Sequence, residues 1–391
     1  MTKKTASTLV ATCLFAFSVG MLVLFVNSFN LGNSDFIGFW AAGKQLVHHE
    51  CPYDTTAVFR IEHNEGLTGT WPNVSLDMPA AFFLVLPLGF FGAKTGAVLW
   101  LSAFIFCLMV SVRLLWELHG KQDNGLHLLC YFFAPVYICM MAGQLGAFML
   151  LGVVLFLYFH ESRPFWAGAS LLLCTVKPHL FVPFGIVMLV WILHRKAYRV
   201  LVGLAAALGA SCALSYYFDP HAWSQYSSLV HNNPVILTAF IPTLSVVFRF
   251  AVDRDAIWLQ YVPAAAASVW GLWYFWTRRA TWSWLHHGAL LLLVSELCAP
   301  HGWIFDEVIV LPAILAALYS AKNSRLLLIL FPLMSAVVVI EFLNGAKPVS
   351  PYYLWTAPAW FIWCLLARAA SRGPGVLPVR ASLTASGRSS R

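Results

Sequence analysis

Charged residues are scarce in this chain of 391 residues. Lys, Arg, Asp and Glu together make up 10% of it, whereas about a quarter is usual for a soluble globular domain. Hydrophobic residues make up 60%, and the mean hydropathy is +0.75. The low charge content excludes an ordinary soluble domain. The long apolar runs instead indicate an all-α polytopic membrane protein, because helices satisfy their own backbone hydrogen bonds in lipid.

Several common ligand-binding motifs are also missing. The sequence has no Walker loop and no G-x-G-x-x-G motif, which excludes an aqueous nucleotide-sugar domain of those types. It has no C-x-x-C motif and no Cys/His metal spacing, and most of the nine cysteines lie inside apolar runs. We therefore expect small buried thiols, with no disulfide, no metal and no cofactor. A sugar donor, if there is one, must arrive through the membrane in lipid-linked form.

The net charge of +8 comes from Lys and Arg in short connectors and in the C-terminal tail. Such a distribution is typical of a signal for membrane topology, which depends on positive charge near the cytoplasmic ends of helices. It does not indicate a nucleic-acid surface. Membrane lipids are the expected surroundings of the chain, and no nucleic-acid partner is predicted.

Apolar runs predict about twelve membrane-crossing helices. A shorter run at 79–91 is either a thirteenth span or a re-entrant helix. The positive-inside rule favours the re-entrant alternative, because that alternative brings most of the positive connectors to the cytoplasmic side. The predicted crossings are residues 6–29, 94–116, 126–142, 145–160, 164–177, 180–194, 199–217, 256–276, 282–299, 304–320, 325–343 and 351–368.

We predict a single transmembrane domain over residues 1–370, followed by a basic, disordered cytoplasmic tail at 371–391. The first apolar run is too long for a typical signal peptide and is interpreted as a retained helix. Residues 30–77 and 218–255 form the two main extracytoplasmic segments. The second is expected to contain an amphipathic helix over 235–252 that lies in the outer interface.

Asp35 is the first candidate for catalysis. It precedes an aromatic-rich stretch in which Phe36, Phe39 and Trp40 fall on one side of a helix. That side is predicted to hold the helix at the membrane surface, where Asp35 would act as a general base. The alternative is an ordinary N-cap, which Asp favours.

Lys177 is the second candidate, because it lies between two apolar runs where a charge is costly. It either binds a lipid phosphate or extends its ammonium toward the interface from a helix end. His179 follows it, as a structural residue or as part of a substrate site.

A third polar cluster contains His301, Asp306 and Glu307. The two acids either complement a helix dipole or bind sugar hydroxyls and relay protons beside Asp35. Three further residues, Gln144, Trp40 and Tyr53, complete the candidates for substrate binding.

The order of these motifs resembles glycosyltransferase family 87 over most of residues 1–320. The resemblance implies a GT-C-type bundle with a re-entrant helix and periplasmic juxtamembrane helices. The segments that carry it are Asp35-Phe36, Phe39-Trp40-Ala41-Ala42-Gly43, Pro52-Tyr53-Asp54, Pro79, Gly143-Gln144, Arg163-Pro164, Lys177-Pro178 and Phe305-Asp306.

The resemblance also implies an activity. It is the metal-independent, inverting transfer of a hexose, typically mannose, from a polyprenyl-phosphate donor to a lipid or glycan acceptor. The reaction would occur on the outer face of a bacterial inner membrane. The family's general base corresponds to Asp35, its Gly-Gln turn to Gly143 and Gln144, its Lys-Pro to Lys177 and Pro178, and its late acid to Asp306.

Two other functions compete with this one. A transporter or flippase for a lipid-linked sugar would place its charges near the bilayer midplane, in helices related by repeats. Here the charges gather toward one face and no repeat is evident, which favours the transferase. A non-catalytic subunit for envelope assembly predicts that Asp35, Lys177 and Asp306 point away from one another.

Overall fold

The computed structural model describes residues 31, 34–232, 241–348 and 350–371. Within these residues the secondary structure is entirely helical. The predicted crossing at 6–29 and the tail from residue 372 lie outside the described residues. Residues 235–240 of the predicted interfacial helix do so as well.

In the part of the chain that the structure describes, four helices are long and apolar enough to cross a membrane: Ala93–Leu118, Pro178–Arg195, Tyr198–Phe218 and Arg325–Leu343. Each coincides with a predicted crossing to within a few residues. The full set of twelve crossings, the re-entrant role of 79–91 and the GT-C bundle stay predictions. The other α-helices are Phe36–Val47, Thr55–Asn64, Phe82–Gly89, Ala134–Ala142, Gly146–Phe159, Pro164–Ser170, Ala222–Asn232, Leu244–Val252, Val262–Arg278, Ala289–Leu297, Leu311–Ser320 and Thr356–Ser371.

Several predicted crossings are built from two short pieces. The run at 126–142 becomes a 3-10 helix at Leu126–Phe132 and an α-helix at Ala134–Ala142, and the run at 304–320 divides into Asp306–Val310 and Leu311–Ser320. A proline occupies the first turn of the second piece in both cases. Proline suits that position because the N–H group that it lacks would have no partner within the helix there.

The helix Gly146–Phe159 lies at the centre of the core, with most of its residues buried. It packs against Ala93–Leu118, Pro164–Ser170 and the two 3-10 helices Leu171–Val176 and Asp306–Val310. Its N-terminus follows Gln144 directly. Consequently, the chain segments that carry Gln144, Lys177 and Asp306 all meet near this helix.

The prediction that the aromatic side of the helix after Asp35 contacts the membrane is wrong, because Phe36, Phe39 and Trp40 are buried inside the protein. Nearly all residues of Phe36–Val47 are buried, including those opposite its aromatic side. The helix packs closely against Phe82–Gly89, where Gly43 and Gly89 meet backbone to backbone. A Cβ atom on either glycine would collide with the other helix, so the absence of side chains is what permits this burial.

The helix in the predicted second extracytoplasmic segment packs partly on the protein. Leu244–Val252 is a helix, but Ser245, Val246 and Arg249 on it are buried. The Ser245 hydroxyl donates a hydrogen bond of 3.1 Å to the carbonyl of Cys298. This helix therefore packs on the protein through its polar side chains as well as its apolar ones.

Candidate active site

A continuous hydrogen-bonded network joins four of the predicted residues. The Gln144 amide donates to Asp35 Oδ2 over 2.6 Å, and its oxygen accepts from Lys177 Nζ over 3.1 Å. Lys177 Nζ lies 2.7 Å from Asp306 Oδ1. The assembly-subunit alternative predicts that Asp35, Lys177 and Asp306 point apart, and this arrangement contradicts it.

Asp35 occupies the N-cap position of the helix Phe36–Val47, yet its side chain makes no capping hydrogen bond. Its carboxylate instead accepts from Gln144 through one oxygen and from Asn73 Nδ2, at 3.0 Å, through the other. Its backbone N–H donates to the carbonyl of Ala142 over 3.0 Å. The capping alternative is therefore excluded, and the carboxylate faces the interior network.

Gln144 is oriented by the turn that precedes it. Gly143 ends the helix Ala134–Ala142 in a left-handed conformation with φ of 72°, which favours glycine. A side chain at Gly143 would also collide with Phe36. The Gly143 carbonyl accepts from the Trp100 indole over 2.8 Å. The amide orientation follows from charge, because a carboxylate requires a donor and an ammonium group requires an acceptor.

Lys177 lies at the break between the 3-10 helices Leu171–Val176 and Pro178–Phe181. Pro178 disfavours a helical conformation in the residue before it, which ends the first helix at this point. The Lys177 side chain is only 13% exposed, and its ammonium group also lies 4.9 Å from the centre of the Phe305 ring. Asp306 provides the counter-charge that this burial requires.

Asp306 begins a 3-10 helix and is fully buried. One carboxylate oxygen bonds Lys177, and the other accepts from the backbone N–H of Trp303 over 3.0 Å. Glu307 points elsewhere. Its two oxygens accept from Thr356 Oγ1 at 2.5 Å and from the Trp360 indole at 2.9 Å. The two adjacent acids therefore have different partners, and only Asp306 joins the network.

The two predicted histidines lie next to each other, with ring centres 5.5 Å apart. His301 also contacts the ring of Trp303 at 5.4 Å. Burial lowers the pKa of His301 to about 4, an effect that nearby Lys177 reinforces and Asp306 opposes. A neutral imidazole is therefore expected at pH 7. The histidines flank the network without a hydrogen bond to it among the contacts of the described residues.

The two predicted aromatic residues contact other parts of the protein. The Trp40 indole donates to the carbonyl of Phe91 over 2.9 Å. The Tyr53 hydroxyl donates to the backbone carbonyl of Asp77 over 2.7 Å. Tyr53 thus anchors the loop in which Asn73 reaches Asp35. Trp40 instead anchors the helix Phe36–Val47 to Phe91.

Asn73, Asp77 and Glu62 were not among the predicted site residues. All three lie in the predicted first extracytoplasmic segment, where no apolar periodicity indicates their positions. Burial raises the pKa of Asp77 to about 6, and the attraction of Lys177 opposes that rise. Asp77 therefore lies close enough to Lys177, Asp306 and Asp35 for their charges to act on it. In the described residues, no group of three or more His, Cys, Asp and Glu side chains is arranged to hold a metal ion.

Glu62 orients Asn73 and through it Asp35. Its Oε2 accepts from the Asn73 backbone N–H over 2.9 Å, and its buried Oε1 has no hydrogen-bond partner. Burial raises the pKa of Glu62 to about 7, although the hydrogen bond from Asn73 opposes the rise. The folded protein thus holds this proton more tightly than the unfolded chain does.

We expect Glu62→Gln to remove a pH dependence of stability. In the wild type, ionisation of Glu62 in the unfolded chain lowers stability as pH rises from about 4.5 to about 7, by about 3 kcal/mol in all. The variant should gain relative stability across that interval, as measured by thermal unfolding in detergent at several pH values. Asp54→Asn, at an acid with no such burial, is the control. Parallel curves for wild type and Glu62→Gln would contradict the prediction.

The family model described as Glycosyltransferase family 87 matches residues 78–300, more than half of the chain. The chain belongs to glycosyltransferase family 87. No curated protein matches it, and no solved structure does either.

Membership of family 87 confirms the resemblance found in the sequence and makes the protein a membrane glycosyltransferase. The matched residues include Gln144 and Lys177. Asp35, Asn73 and Asp306 lie outside the match and are joined to these two by the tertiary structure. The network therefore connects the matched part of this family 87 chain to residues on both sides of it.

Proposed function

We propose that the protein transfers a hexose, mannose in the first instance, from a polyprenyl-phosphate donor to a hydroxyl of a lipid or glycan acceptor. The observation that carries this proposal is the shared contact to Gln144. The Asp35 carboxylate is suited to accept a proton, and the Lys177 ammonium group is suited to bind phosphate. The two groups form hydrogen bonds with opposite ends of the Gln144 amide. A sugar transfer with a phosphate leaving group needs both groups near the same carbon atom.

In the proposed reaction, the acceptor oxygen attacks the anomeric carbon while Asp35 takes its proton. The bond between that carbon and the phosphate oxygen breaks, and its electron pair stays on the departing polyprenyl phosphate. Attack opposite the leaving group inverts the anomeric configuration. Asn73 and Gln144 hold the Asp35 carboxylate in place, which limits the reorganisation needed during the reaction.

Lys177 would stabilise the charge that develops on the phosphate. An ammonium group has three N–H donors, and Asp306 and Gln144 account for two of them. The third is proposed to donate to the phosphate. Asp306 would act as a positioning residue, because it holds the ammonium at a fixed point beside the Phe305 ring.

The active face is proposed to be extracytoplasmic, in the inner membrane. The support is the distribution of positive charge: most Lys and Arg connectors fall on the face opposite the network when residues 79–91 are re-entrant. A polyprenyl-phosphate donor fits this location, because its lipid chain lies in the bilayer while its sugar remains at the surface.

The test uses purified protein in liposomes that contain radiolabelled polyprenyl-phosphate mannose and a membrane extract as the acceptor source. We expect the label to move from the donor to a new product and polyprenyl phosphate to be released. Donor that changes leaflets without being consumed would instead support the flippase alternative. Donors that carry glucose or galactose serve as comparisons, and faster transfer from one of them would replace mannose in the proposal.

A further inference from the structure

A small cavity lies near Asp306. It is formed between the segments 242–244, 296–297, 302–304, 353–354 and 357–358, together with Glu307. Trp303 lines it and also donates its backbone N–H to Asp306. The cavity volume is about 20 Å³, which is enough for one group the size of a water molecule or a hydroxyl.

Glu296 contributes the most unusual group to this cavity. It is 6% exposed, and its buried Oε2 has no hydrogen-bond partner. Glu307, which lines the same cavity, has both oxygens bonded to Thr356 and Trp360. Glu296 is thus the carboxyl that lacks a donor. A buried acceptor without a partner is destabilising, so a ligand that supplies a donor would be favoured here.

Gly302 keeps the space beside Glu296 open. A Cβ atom at this glycine would lie 3.4 Å from Glu296 Oε1, 3.5 Å from Leu180 Cδ2 and 3.8 Å from Thr243 Cγ2. All three are ordinary contact distances, so alanine would fit without displacing the backbone. The added methyl group would nevertheless occupy part of the space that a ligand group would use.

We propose that Glu296 binds one hydroxyl group of the transferred hexose and so selects the donor sugar. This inference rests on the proposed function. Trp303, which lines the cavity, donates its backbone N–H to Asp306, and Asp306 bonds the proposed phosphate-binding lysine. The cavity therefore lies close to the donor side of the network. Its volume fits a single hydroxyl group that extends from the sugar ring, and the free carboxyl oxygen supplies the acceptor for that group.

The test measures kcat and KM for hexose donors that each lack one hydroxyl group, with wild-type protein and Glu296→Gln. For the wild type, removal of one particular hydroxyl should lower kcat/KM by about 10- to 100-fold. Glu296→Gln should lose a similar factor with the complete hexose and should be nearly insensitive to the same deletion. The effects of Glu296→Gln and of the hydroxyl deletion would then be non-additive. A purely structural role of Glu296 would not produce that result.

Two further variants complete the design. Gly302→Ala should keep the thermal stability of the wild type and lower kcat/KM for the complete hexose while affecting the same deoxy donor much less. Glu161→Gln, at an exposed carboxyl that does not line the cavity, should behave as wild type.

Three results would overturn the inference. Wild-type kinetics for Glu296→Gln with every donor would show that the cavity holds a resident water only. An equal loss with every deoxy donor would assign Glu296 a structural role. In both of these cases the proposed transferase activity would survive, whereas an absence of transfer by the wild-type protein would remove the proposed function and this inference together.

Discussion

Replacement of Asp35 by Asn is expected to lower hexose transfer by about 10²- to 10⁴-fold, the range that general base catalysis contributes. The substitution keeps the size of the side chain but removes the group that would take the proton of the acceptor. Transfer from polyprenyl-phosphate mannose, measured in liposomes at saturating donor, checks the result. Undiminished transfer would remove Asp35 from the mechanism.

Besides removing a charge, Asp35→Asn changes the hydrogen bonds around residue 35. Both oxygens of the carboxylate accept hydrogen bonds, from Asn73 and from Gln144. An Asn side chain has one oxygen, so its amide would face a donor on one side. Rotation of the Gln144 amide would relieve that contact only by turning its NH₂ group toward the Lys177 ammonium. We therefore also expect a modest loss of thermal stability.

A matched control separates the catalytic effect from loss of an acid in the same segment. Asp54 caps the helix Thr55–Asn64 by accepting from the N–H groups of Thr56 and Ala57, and it is exposed. Asp54→Asn should retain transfer close to the wild-type rate. If Asp54→Asn and Asp35→Asn lose transfer equally, the effect belongs to the fold of the segment and not to a proton acceptor.

Removal of Lys177 should have separate effects on stability and on activity. Lys177→Met leaves the fully buried Asp306 without its counter-charge, which is expected to cost about 3–5 kcal/mol of folding stability. The double variant Lys177→Met/Asp306→Asn should recover most of that loss, because neither charge remains. It should still fail to transfer hexose, since nothing would stabilise the phosphate. Thermal unfolding in detergent and the liposome assay measure the two effects.

An exposed ion pair provides the reference for this experiment. Arg113 and Glu117 lie 3.0 Å apart on the surface of the helix Ala93–Leu118, with 58% of the Arg113 side chain exposed. Arg113→Met should cost less than about 1 kcal/mol and leave transfer unchanged. Transfer by the double variant at the wild-type rate would rule out phosphate binding by Lys177. If Lys177→Met is as stable as the wild type, Asp306 does not need Lys177 as a counter-charge.

Four residues of the network were predictable because polar groups are costly in a chain of this composition. Asp35, Gln144, Lys177 and Asp306 each interrupt or border an apolar run, where an ionisable or amide side chain usually has a functional reason. Glu296 carries the same signal, since it lies near the end of the apolar run Ala289–Leu297, but it was not among the predicted residues.

Asn73 and Glu62 had no comparable signal. They lie in a polar segment in which polar residues are common, and only the folded structure shows that Asn73 reaches Asp35. The membrane contact predicted for the aromatic side of the helix Phe36–Val47 was wrong for a related reason. That side is visible in the sequence, whereas the close contact of Gly43 with Gly89 involves a segment 46 residues away.

The sequence by itself determined the membrane class, the helical architecture and the breaks at which polar residues occur, because hydrophobicity and proline act locally along the chain. Only the tertiary structure decided which acid pairs with Lys177. Asp306 and Glu307 are adjacent and chemically alike, but successive residues of a 3-10 helix point about 120° apart. One therefore meets the ammonium of Lys177 while the other meets Thr356 and Trp360.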